Sequence, residues 1–257
     1  MKYLDLKNKH FVVIITILLF VGCQQSPPKL SRISGKLLPI SQEIPPQDSI
    51  TGFISPYQHR IDHILDSVLS YTVTDIIKTD GPYNSSAGNL MADIIMEEVS
   101  PIFMSRTGKK VDFVLLNFGG IRSTISKGNI STRNAFEVMP FENAVEIVEL
   151  SGETVRELIA FLVRSKLAHP IAGIQIIMDR DGELKEVTIQ GKPFDGNRNY
   201  YVATSDYLIT GGDRMDFFKD YISITNSDYK IRNAMIDYFK KVDTAHARVD
   251  DRFIQLK

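Results

Sequence analysis

The stretch VDFVLLNFGGIR, residues 111–122, joins a short apolar run to a glycine-bearing turn. The apolar run, residues 111–116, predicts a buried strand that ends abruptly at Asn117. Glycine tolerates positive φ angles and lets a ligand approach the backbone closely, so Gly119 and Gly120 indicate a binding role at the end of this strand. We therefore expect a β-strand whose carboxyl end carries functional residues.

Helices and strands alternate on both sides of this stretch. A helix is predicted after Ser85-Ser86, because apolar residues recur at helical spacing over residues 90–99. Hairpin strands are predicted on either side of Asp181-Gly182, a dipeptide typical of tight turns. This order of elements predicts an α+β fold, in which helices pack on a mixed β-sheet. Further strands are predicted at residues 145–150, 174–178, 184–189 and 200–204, and further helices after Gly152 and over residues 228–242.

The folded domain is predicted to occupy residues 51–257. Its first helix is expected to begin at Ser55, a suitable N-cap, because Pro56 fits the first helical position and Gln58 completes a capping box. Residues 24–50 are rich in Pro, Ser and Gln, which is typical of a flexible tether. Within this tether, residues 32–38 are a candidate strand.

Residues 1–23 are predicted to be a targeting segment. Basic residues precede an apolar run at residues 11–21, which is too short to span a bilayer as a permanent helix. The next residues, through Gly22-Cys23, resemble the lipobox of bacterial lipoproteins, with Phe20 where leucine is usual. We expect lipidation at Cys23 and a lipid-anchored location in the bacterial cell envelope, on a periplasmic or surface face. The alternative is that Cys23 is an unmodified cysteine of a signal peptide.

Composition places the chain among ordinary globular proteins, with 43% hydrophobic and 24% charged residues. Thirty basic and thirty-one acidic residues give a formal net charge of -1, so no overall field attracts nucleic acid or an anionic membrane surface. No nucleic-acid partner is therefore expected. Because Cys23 is the only cysteine, an internal disulfide is excluded.

Two glycine-bearing turns carry candidate polar binding residues. In the first, the Asn117 amide both donates and accepts hydrogen bonds, and the Arg122 guanidinium suits phosphate or ribose oxygens. In the second, Asp213 follows Gly211-Gly212 and is able to accept hydrogen bonds from two vicinal hydroxyls. Taken alone, such glycine-rich segments are more often simple turns.

Two aromatic residues lie in loop-like contexts, where a flat ligand can stack on them. Phe141 follows Pro140 ahead of a predicted strand, and Tyr207 precedes the second glycine turn. Stacking of a base on one aromatic ring contributes roughly 1–3 kcal/mol and tolerates different bases. The alternative is that both rings belong to the core, and periodicity does not decide between the two.

Four motifs occur in a single order along the chain, which is more specific than any one of them. Together they resemble the C-terminal domain of the 5′-nucleotidase family over about residues 55–245. The motifs are NSSAGNLMAD at residues 84–93, NFGGIR at 117–122, PFEN at 140–143, and VATSDY at 202–207 followed by GGD at 211–213.

The resemblance implies that a nucleotide base is held between Phe141 and Tyr207. Tyrosine stands where the family usually has phenylalanine, and it keeps the ring face while adding a hydroxyl. The resemblance also implies that Asn117, and Asn143 as in some members, form hydrogen bonds with the base.

The same resemblance matches Arg122 with an arginine that reaches ribose or phosphate, and Asp213 with an aspartate that holds the ribose hydroxyls. Gly119 and Gly120 complete the implied substrate-binding set. One departure concerns phosphate: Tyr83 occupies the place where an arginine often precedes the Gly-Asn-Leu motif. We therefore expect nucleoside or base recognition to dominate over phosphate affinity.

Complete family members carry a metallophosphatase domain ahead of this one, in which Asp, His and Asn side chains hold two metals. The 257-residue sequence contains no Asp-x-His, Gly-Asn-His-Asp/Glu or His-x-His motif that would supply this site. His59 and His63 are four residues apart, but without a third ligand nearby the pair is more typical of a solvated helix face. No catalytic residue, metal site or cofactor is predicted in this chain, and divalent metals are expected only in a partner.

Three hypotheses follow. The first is a nucleotide-recognition subunit that works in nucleotide catabolism with a separately encoded metallophosphatase, and that releases no phosphate alone. The second is a nucleotide-binding lipoprotein for scavenging or sensing, without an enzymatic partner. The third is a structural or glycan-binding lipoprotein on the same fold, since a fold does not imply a function.

Overall fold

A computed structural model describes residues 10–16, 30–41 and 44–257. Residues 10–16 are helical, and the chain divides into two compact units, Met1–Thr51 and Gly52–Lys257. Cys23, the predicted lipidation site, lies outside the described residues, as does much of the predicted targeting segment. Among the described residues, no helix combines the length and the apolar character that crossing a membrane requires.

After the helical residues 10–16, a long helix is followed by alternating helices and strands. Helices are α1 (Asp48–Leu65), α2 (Ser86–Thr107), α3 (Thr132–Val138), α4 (Gly152–Ser165), α5 (Asp206–Ile209) and α6 (Ile231–Lys241). Strands are β1 (Val68–Thr72), β2 (Phe113–Leu115), β3 (Gly128–Ser131), β4 (Ala144–Leu150), β5 (Ile171–Ala172), β6 (Ile174–Met178), β7 (Leu184–Ile189), β8 (Lys192–Pro193), β9 (Tyr200–Ser205), β10 (Ser223–Lys230), β11 (Thr244–Ala245) and β12 (Phe253–Gln255). Short 3₁₀ turns lie at Phe118–Gly120, Gly212–Arg214 and Asp216–Asp220.

The central sheet has five strands in the order β10-β4-β9-β2-β5. Strands β2 and β9 run parallel, with Phe113 opposite Val202, whereas β4 runs antiparallel to both β9 and β10. Two smaller sheets have the orders β11-β1-β3 and β12-β6-β7-β8. This mixture of parallel and antiparallel pairs, with helices packed on it, confirms the predicted α+β fold with a mixed sheet.

Alternate residues of a strand point to opposite faces of a sheet. On β2, both faces are buried in apolar clusters. Val114 belongs to the apolar cluster that includes α2, whereas its neighbours Phe113 and Leu115 belong to the cluster that includes α4. Full burial of one such side chain contributes roughly 1.5–3 kcal/mol. The sheet is therefore a middle layer whose strand ends are held in place from both sides.

Serine caps determine where the two core helices begin. The Ser85 Oγ accepts a hydrogen bond from the Gly88 N–H at 3.1 Å, and the Ser151 Oγ accepts one from the Thr154 N–H at 3.1 Å. Such caps satisfy backbone donors that have no partner within the first helical turn. The predicted starts of both helices are confirmed.

Three predictions about local structure are wrong. Helix α1 begins at Asp48, before the predicted cap Ser55, and Pro56 lies inside it. An internal proline removes one backbone donor, but no residue of α1 is buried, so water can satisfy the carbonyl that loses its partner. Residues 32–38 form no strand, because they are exposed and no neighbouring strand pairs with them. Helix α6 begins at Ile231 rather than at residue 228, because the preceding residues pair with β4 as strand β10.

The last turn of helix α1 and the residue that follows it form ion pairs with α3. Arg133 of α3 lies 2.9 Å from the Asp62 carboxylate and 2.6 Å from the Asp66 carboxylate. Tyr57 and Ile61 recur at helical spacing on α1, and both side chains are exposed. The amphipathic pattern therefore does not mark a core helix here.

Candidate functional site

Three segments meet at one edge of the central sheet. Because β2 and β9 are parallel, their carboxyl ends lie side by side, and β4, which is antiparallel to β9, brings its first residues to the same edge. The pairing of Val145 with Ser205 fixes this register. The segments that follow β2 and β9 therefore converge with the segment that precedes β4.

A cavity of about 280 Å³ opens at this edge. Its volume is close to the lower end of the range for small-molecule sites, roughly 300–1,000 Å³. The structure brings all eight predicted substrate-binding residues together around it, and Met139 joins them. The eight are Asn117, Gly119, Gly120, Arg122, Phe141, Asn143, Tyr207 and Asp213.

The two aromatic residues are surface residues rather than core residues. Phe141 is 41% exposed and Tyr207 is 44% exposed, although both line the cavity. Tyr207 lies in the short helix α5, and its N–H donates to the Ser205 Oγ at 3.1 Å. Gly212 lets this ring lie against the backbone, because a Cβ there would come within 2.5 Å of the Tyr207 ring. The exposed part of each ring is therefore accessible to a flat ligand.

Asp213 is held by hydrogen bonds from two other cavity residues. The Asn117 Nδ2 donates to one carboxylate oxygen at 2.7 Å, and the Tyr207 hydroxyl donates to the other at 3.1 Å. Asp213 also adopts a φ of 52° and Arg214 a φ of 64°. Such left-handed conformations cost of order 1–3 kcal/mol at non-glycine residues and concentrate at functional sites. Each carboxylate oxygen keeps a second lone pair with which to accept a ligand hydroxyl.

The turn that presents Phe141 is fixed by a buried arginine. Arg232 of α6 is 5% exposed, and its Nη1 donates to the backbone carbonyls of Met139, Pro140 and Phe141 at 3.2–3.4 Å. Its Nη2 forms an ion pair with the Glu142 carboxylate. Hydrogen bonds from Lys230 and Arg232 lower the pKa of Glu142 to about 2. The carboxylate therefore stays ionised, and the turn stays bound to α6, at any physiological pH.

Asn143 is placed by the start of β4. Its Nδ2 donates to the Ser205 Oγ at 3.0 Å, so the side-chain oxygen is oriented as an acceptor. An acceptor at this position suits an amino group on a base.

Positive charge lies on the Arg122 side of the cavity. The Arg122 guanidinium lies 5.8 Å from the centre of the Phe141 ring, and its Nη1 donates to the Gly119 carbonyl at 3.4 Å. Nearby, the Lys78 Nζ donates to the Ile121 carbonyl at 2.8 Å. Burial, together with the Arg122 charge, lowers the pKa of Lys78. Arg122 lines the cavity, and Lys78 lies near enough to Arg122 for the two charges to interact.

Other candidates from the sequence lie elsewhere. The Tyr83 hydroxyl donates to the Gln255 Oε1 at 2.6 Å, and Tyr83 does not line the cavity. His59 and His63 are exposed on α1. Throughout the described residues, no group of three or more His, Cys, Asp or Glu side chains is placed to hold a metal ion.

Sequence reasoning missed Met139, Lys78 and Arg232. Met139 directly precedes Pro140, so its position next to the Pro-Phe turn is a signal that the sequence does contain. Lys78 and Arg232 act on segments 43 and about 90 positions away, and no local motif marks such contacts.

A known family model matches the segments that line the cavity. Residues 72–220 match the family model described as 5′-nucleotidase, C-terminal domain. The chain belongs to this family. All four motifs lie inside the matched residues, so the resemblance inferred from them is confirmed.

Relatives extend the similarity over most of the chain. Protein UshA of Escherichia coli is 31% identical over 148 residues, which cover 55% of this chain and 26% of that protein. A cell wall protein of Listeria monocytogenes is 24% identical over 221 residues, covering 79% of this chain and 28% of its own length. The crystal structure of a 5′-nucleotidase precursor from Thermus thermophilus has the same fold, with a TM-score of 0.67 at 20% identity over 82% of this chain and 44% of that one. The chain therefore spans less than half of the length of these relatives.

Proposed function

We propose that this chain binds a nucleoside or nucleotide in the cavity at the edge of the central sheet. The base stacks between Phe141 and Tyr207 and forms hydrogen bonds with Asn117 and Asn143. The ribose hydroxyls donate to Asp213. The observation that carries the proposal is that these residues, from three distant segments, line one cavity.

Each role follows from the chemistry of the group. Two exposed rings contribute stacking that tolerates different bases, and an ionised carboxylate accepts strong hydrogen bonds from vicinal hydroxyls. Gly119 and Gly120 leave room beside Asn117, because a Cβ at either residue would lie 3.1–3.3 Å from the Asn117 side chain. Arg122, with Lys78 behind it, supplies charge for a 5′-phosphate.

We further propose that hydrolysis, where it occurs, depends on a separately encoded metallophosphatase whose side chains hold divalent metals. Family membership supports the link to nucleotidase chemistry, because the matched family model is the C-terminal domain of 5′-nucleotidase. For location, we propose the cell envelope, with a lipid anchor at Cys23. The Listeria relative is named a cell wall protein, which supports an envelope location.

The proposal is tested by titrating the purified chain with adenosine, AMP and UMP in a calorimeter. Phe141→Ala and Tyr207→Ala are each expected to weaken binding by roughly 1–3 kcal/mol, because each removes one stacking surface. Tyr221→Ala is the matched control, since Tyr221 is 40% exposed and does not line the cavity. If the chain binds none of these nucleosides or nucleotides, the proposal is refuted.

Phosphate release from AMP separates recognition from catalysis. The chain alone is expected to release none, and addition of a metallophosphatase encoded beside it is expected to restore release. Chelator-sensitive hydrolysis by the lone chain would refute the divided arrangement while leaving nucleotide binding intact. Binding without restoration by any such partner favours a scavenging or sensing role.

A further inference from the structure

Five large apolar side chains share one side of helix α1 and are exposed. Spacings of three or four residues connect them, and residues at these spacings lie on the same helix face. Their exposed fractions range from 48% to 71%, so no described segment covers them. These residues form the apolar stripe of α1: Phe53, Ile54, Tyr57, Ile61 and Ile64. Contiguous exposed apolar patches on folded proteins mark protein-binding or membrane-binding surfaces.

The ion pairs that hold α1 against α3 use a different side of the helix. Asp62, whose carboxylate lies 2.9 Å from the Arg133 guanidinium, is five residues from Tyr57 and two from Ile64. Neither spacing places two residues on the same helix face. The apolar stripe therefore stays accessible while α1 is bound to α3.

The rest of α1 has the composition of a helix that lies in a membrane interface. Its other side carries polar residues, including Ser55 and His59. Arg60 lies beside the stripe, three residues after Tyr57 and four before Ile64. Its side chain is exposed and forms no ion pair with any described residue. Such an arginine can cover apolar surface with its aliphatic part and extend its guanidinium to lipid phosphates.

The apolar stripe is small for an interface between proteins. From Phe53 to Ile64 the helix rises about 17 Å, and a helix with its side chains is about 10 Å wide. A stable protein–protein interface buries about 800 Å² on each partner. A strip of this size does not supply that area, whereas a bilayer requires no matching shape. The stripe therefore suits a lipid surface better than a second copy of this chain.

The proposed anchor also keeps α1 close to a membrane. Residues 24–47 separate Cys23 from the start of α1. A chain of this length spans at most about 80 Å when fully extended. A lipid anchor at Cys23 therefore confines α1 to this distance from the bilayer and raises its effective concentration there.

We propose that α1 lies on the surface of a phospholipid bilayer, with its apolar stripe at the boundary between headgroups and acyl chains. The inference goes beyond nucleoside binding and rests in part on the proposed lipid anchor, because the tether brings α1 to the membrane. Binding of α1 holds the domain at the bilayer surface, whereas an anchor alone lets it move within the reach of the tether. Because the formal net charge of the chain is -1, apolar contact rather than charge drives this binding, and neutral lipids suffice.

The sequence contains no tryptophan, which makes a local test possible. Tyr57→Trp places the only indole of the full chain in the stripe, and His59→Trp places it on the other side of α1. Each protein is mixed with phosphatidylcholine vesicles that contain brominated lipids, which quench nearby indoles. Emission of Tyr57→Trp is expected to shift to shorter wavelength and lose intensity, whereas emission of His59→Trp should change little. No residue of α1 is buried, so both variants should keep the wild-type Tm.

A further substitution measures the contribution of the stripe. In the Tyr57→Trp protein, Ile61→Ser is expected to lower the ratio of bound to free α1, read from the quenching, about tenfold, because it removes one apolar side chain from the lipid boundary. His63→Ser is the matched control on the other side of the helix and should leave the ratio unchanged. Added phosphatidylglycerol or salt should have little effect on the ratio.

Three results would overturn the inference. The first is that Tyr57→Trp is not quenched, and the second is that Tyr57→Trp and His59→Trp are quenched equally. The third is a shift of Tyr57→Trp emission that needs no lipid and grows with protein concentration, which would identify a second copy as the occupant. Mass spectrometry of Cys23 tests the anchor separately, since an unmodified cysteine refutes the anchor while the quenching result still decides whether α1 binds lipid.

Discussion

Replacing Arg232 with methionine should loosen the Phe141 turn and weaken the nucleoside site without touching the ligand. Methionine keeps an apolar side chain of similar length in the buried space but removes every donor. The carbonyls of Met139, Pro140 and Phe141 then lose their partner inside the protein. The turn loses its side-chain hydrogen bonds to α6 and keeps the backbone bond from the Ile231 N–H to the Asn143 carbonyl, so the position of the Phe141 ring becomes less defined.

The magnitude follows from the number of bonds lost. Each hydrogen bond to a charged donor contributes roughly 1.5–3 kcal/mol, and one guanidinium nitrogen shared among three carbonyls gives less per bond. We expect a loss of about 3 kcal/mol in the free energy of unfolding, taking about 1 kcal/mol for each of the three contacts. For a domain of this size, that corresponds to a fall of roughly 6–12 °C in Tm. Affinity for adenosine should fall as well, because the freed ring must be ordered again on binding.

The assay is thermal and urea denaturation of Arg232→Met beside Lys230→Met, with adenosine titration of both. Lys230 is the matched control, because it pairs with the same Glu142 carboxylate but is 45% exposed. Exposed ion pairs contribute little, so Lys230→Met should leave Tm and affinity close to wild type. The reasoning is refuted if Arg232→Met is no less stable than Lys230→Met, or if it is less stable but binds adenosine with unchanged affinity.

Three further perturbations test single features of the structure. Tyr207→Phe keeps the stacking face but removes the hydroxyl that donates to Asp213. Adenosine affinity measured by calorimetry should therefore change only a few-fold. A loss as large as that of Tyr207→Ala would contradict this expectation. Gly212→Ala places a Cβ 2.5 Å from the Tyr207 ring, so it should weaken nucleoside binding, and unchanged affinity would show that the ring position does not matter. His169 has a folded-state pKa of about 4 against an ordinary value of 6.5, so the unfolded chain takes up its proton first and stability should fall as pH drops from 6.5 to 4. Urea denaturation should show a loss of up to about 3 kcal/mol across that window, absent in His169→Gln, and parallel profiles for the two proteins would exclude His169 as the cause.

Local signals predicted much of the fold. Ser85 and Ser151 each cap a helix through a hydrogen bond to a residue three positions later, and Asp181-Gly182 forms the turn of a hairpin. Each of these features involves neighbouring residues, so the sequence alone predicts it. Strand β10 was missed because its sequence, SITNSDYK, has one aliphatic residue and occupies the edge of the sheet. Its strand character comes from pairing with β4, which is a tertiary effect.

The candidate site also has residues that local sequence motifs predict and contacts that depend on tertiary structure. Apart from Met139, the residues that line the cavity at the sheet edge lie in family motifs, and each was named from the sequence. Arg164 and His169 line a further cavity together with Arg214, and no local sequence pattern indicates that these residues share one cavity. The hydrogen bond from the Tyr207 hydroxyl to the Asp213 carboxylate was also not predicted from the sequence, because it depends on the left-handed backbone at Asp213.

The convergence of three segments at one sheet edge has a consequence for folding. Asn117 and Asp213 are 96 positions apart, so their contact requires closure of a long loop and pairing of β2 with β9. Contacts of such high contact order form late and slowly. A nucleoside can then bind only the completed sheet and not a partly folded chain. Above its Kd, the nucleoside should therefore raise the melting temperature in proportion to the logarithm of its concentration. Ligand present during refolding would stabilise the end state without speeding the formation of the site.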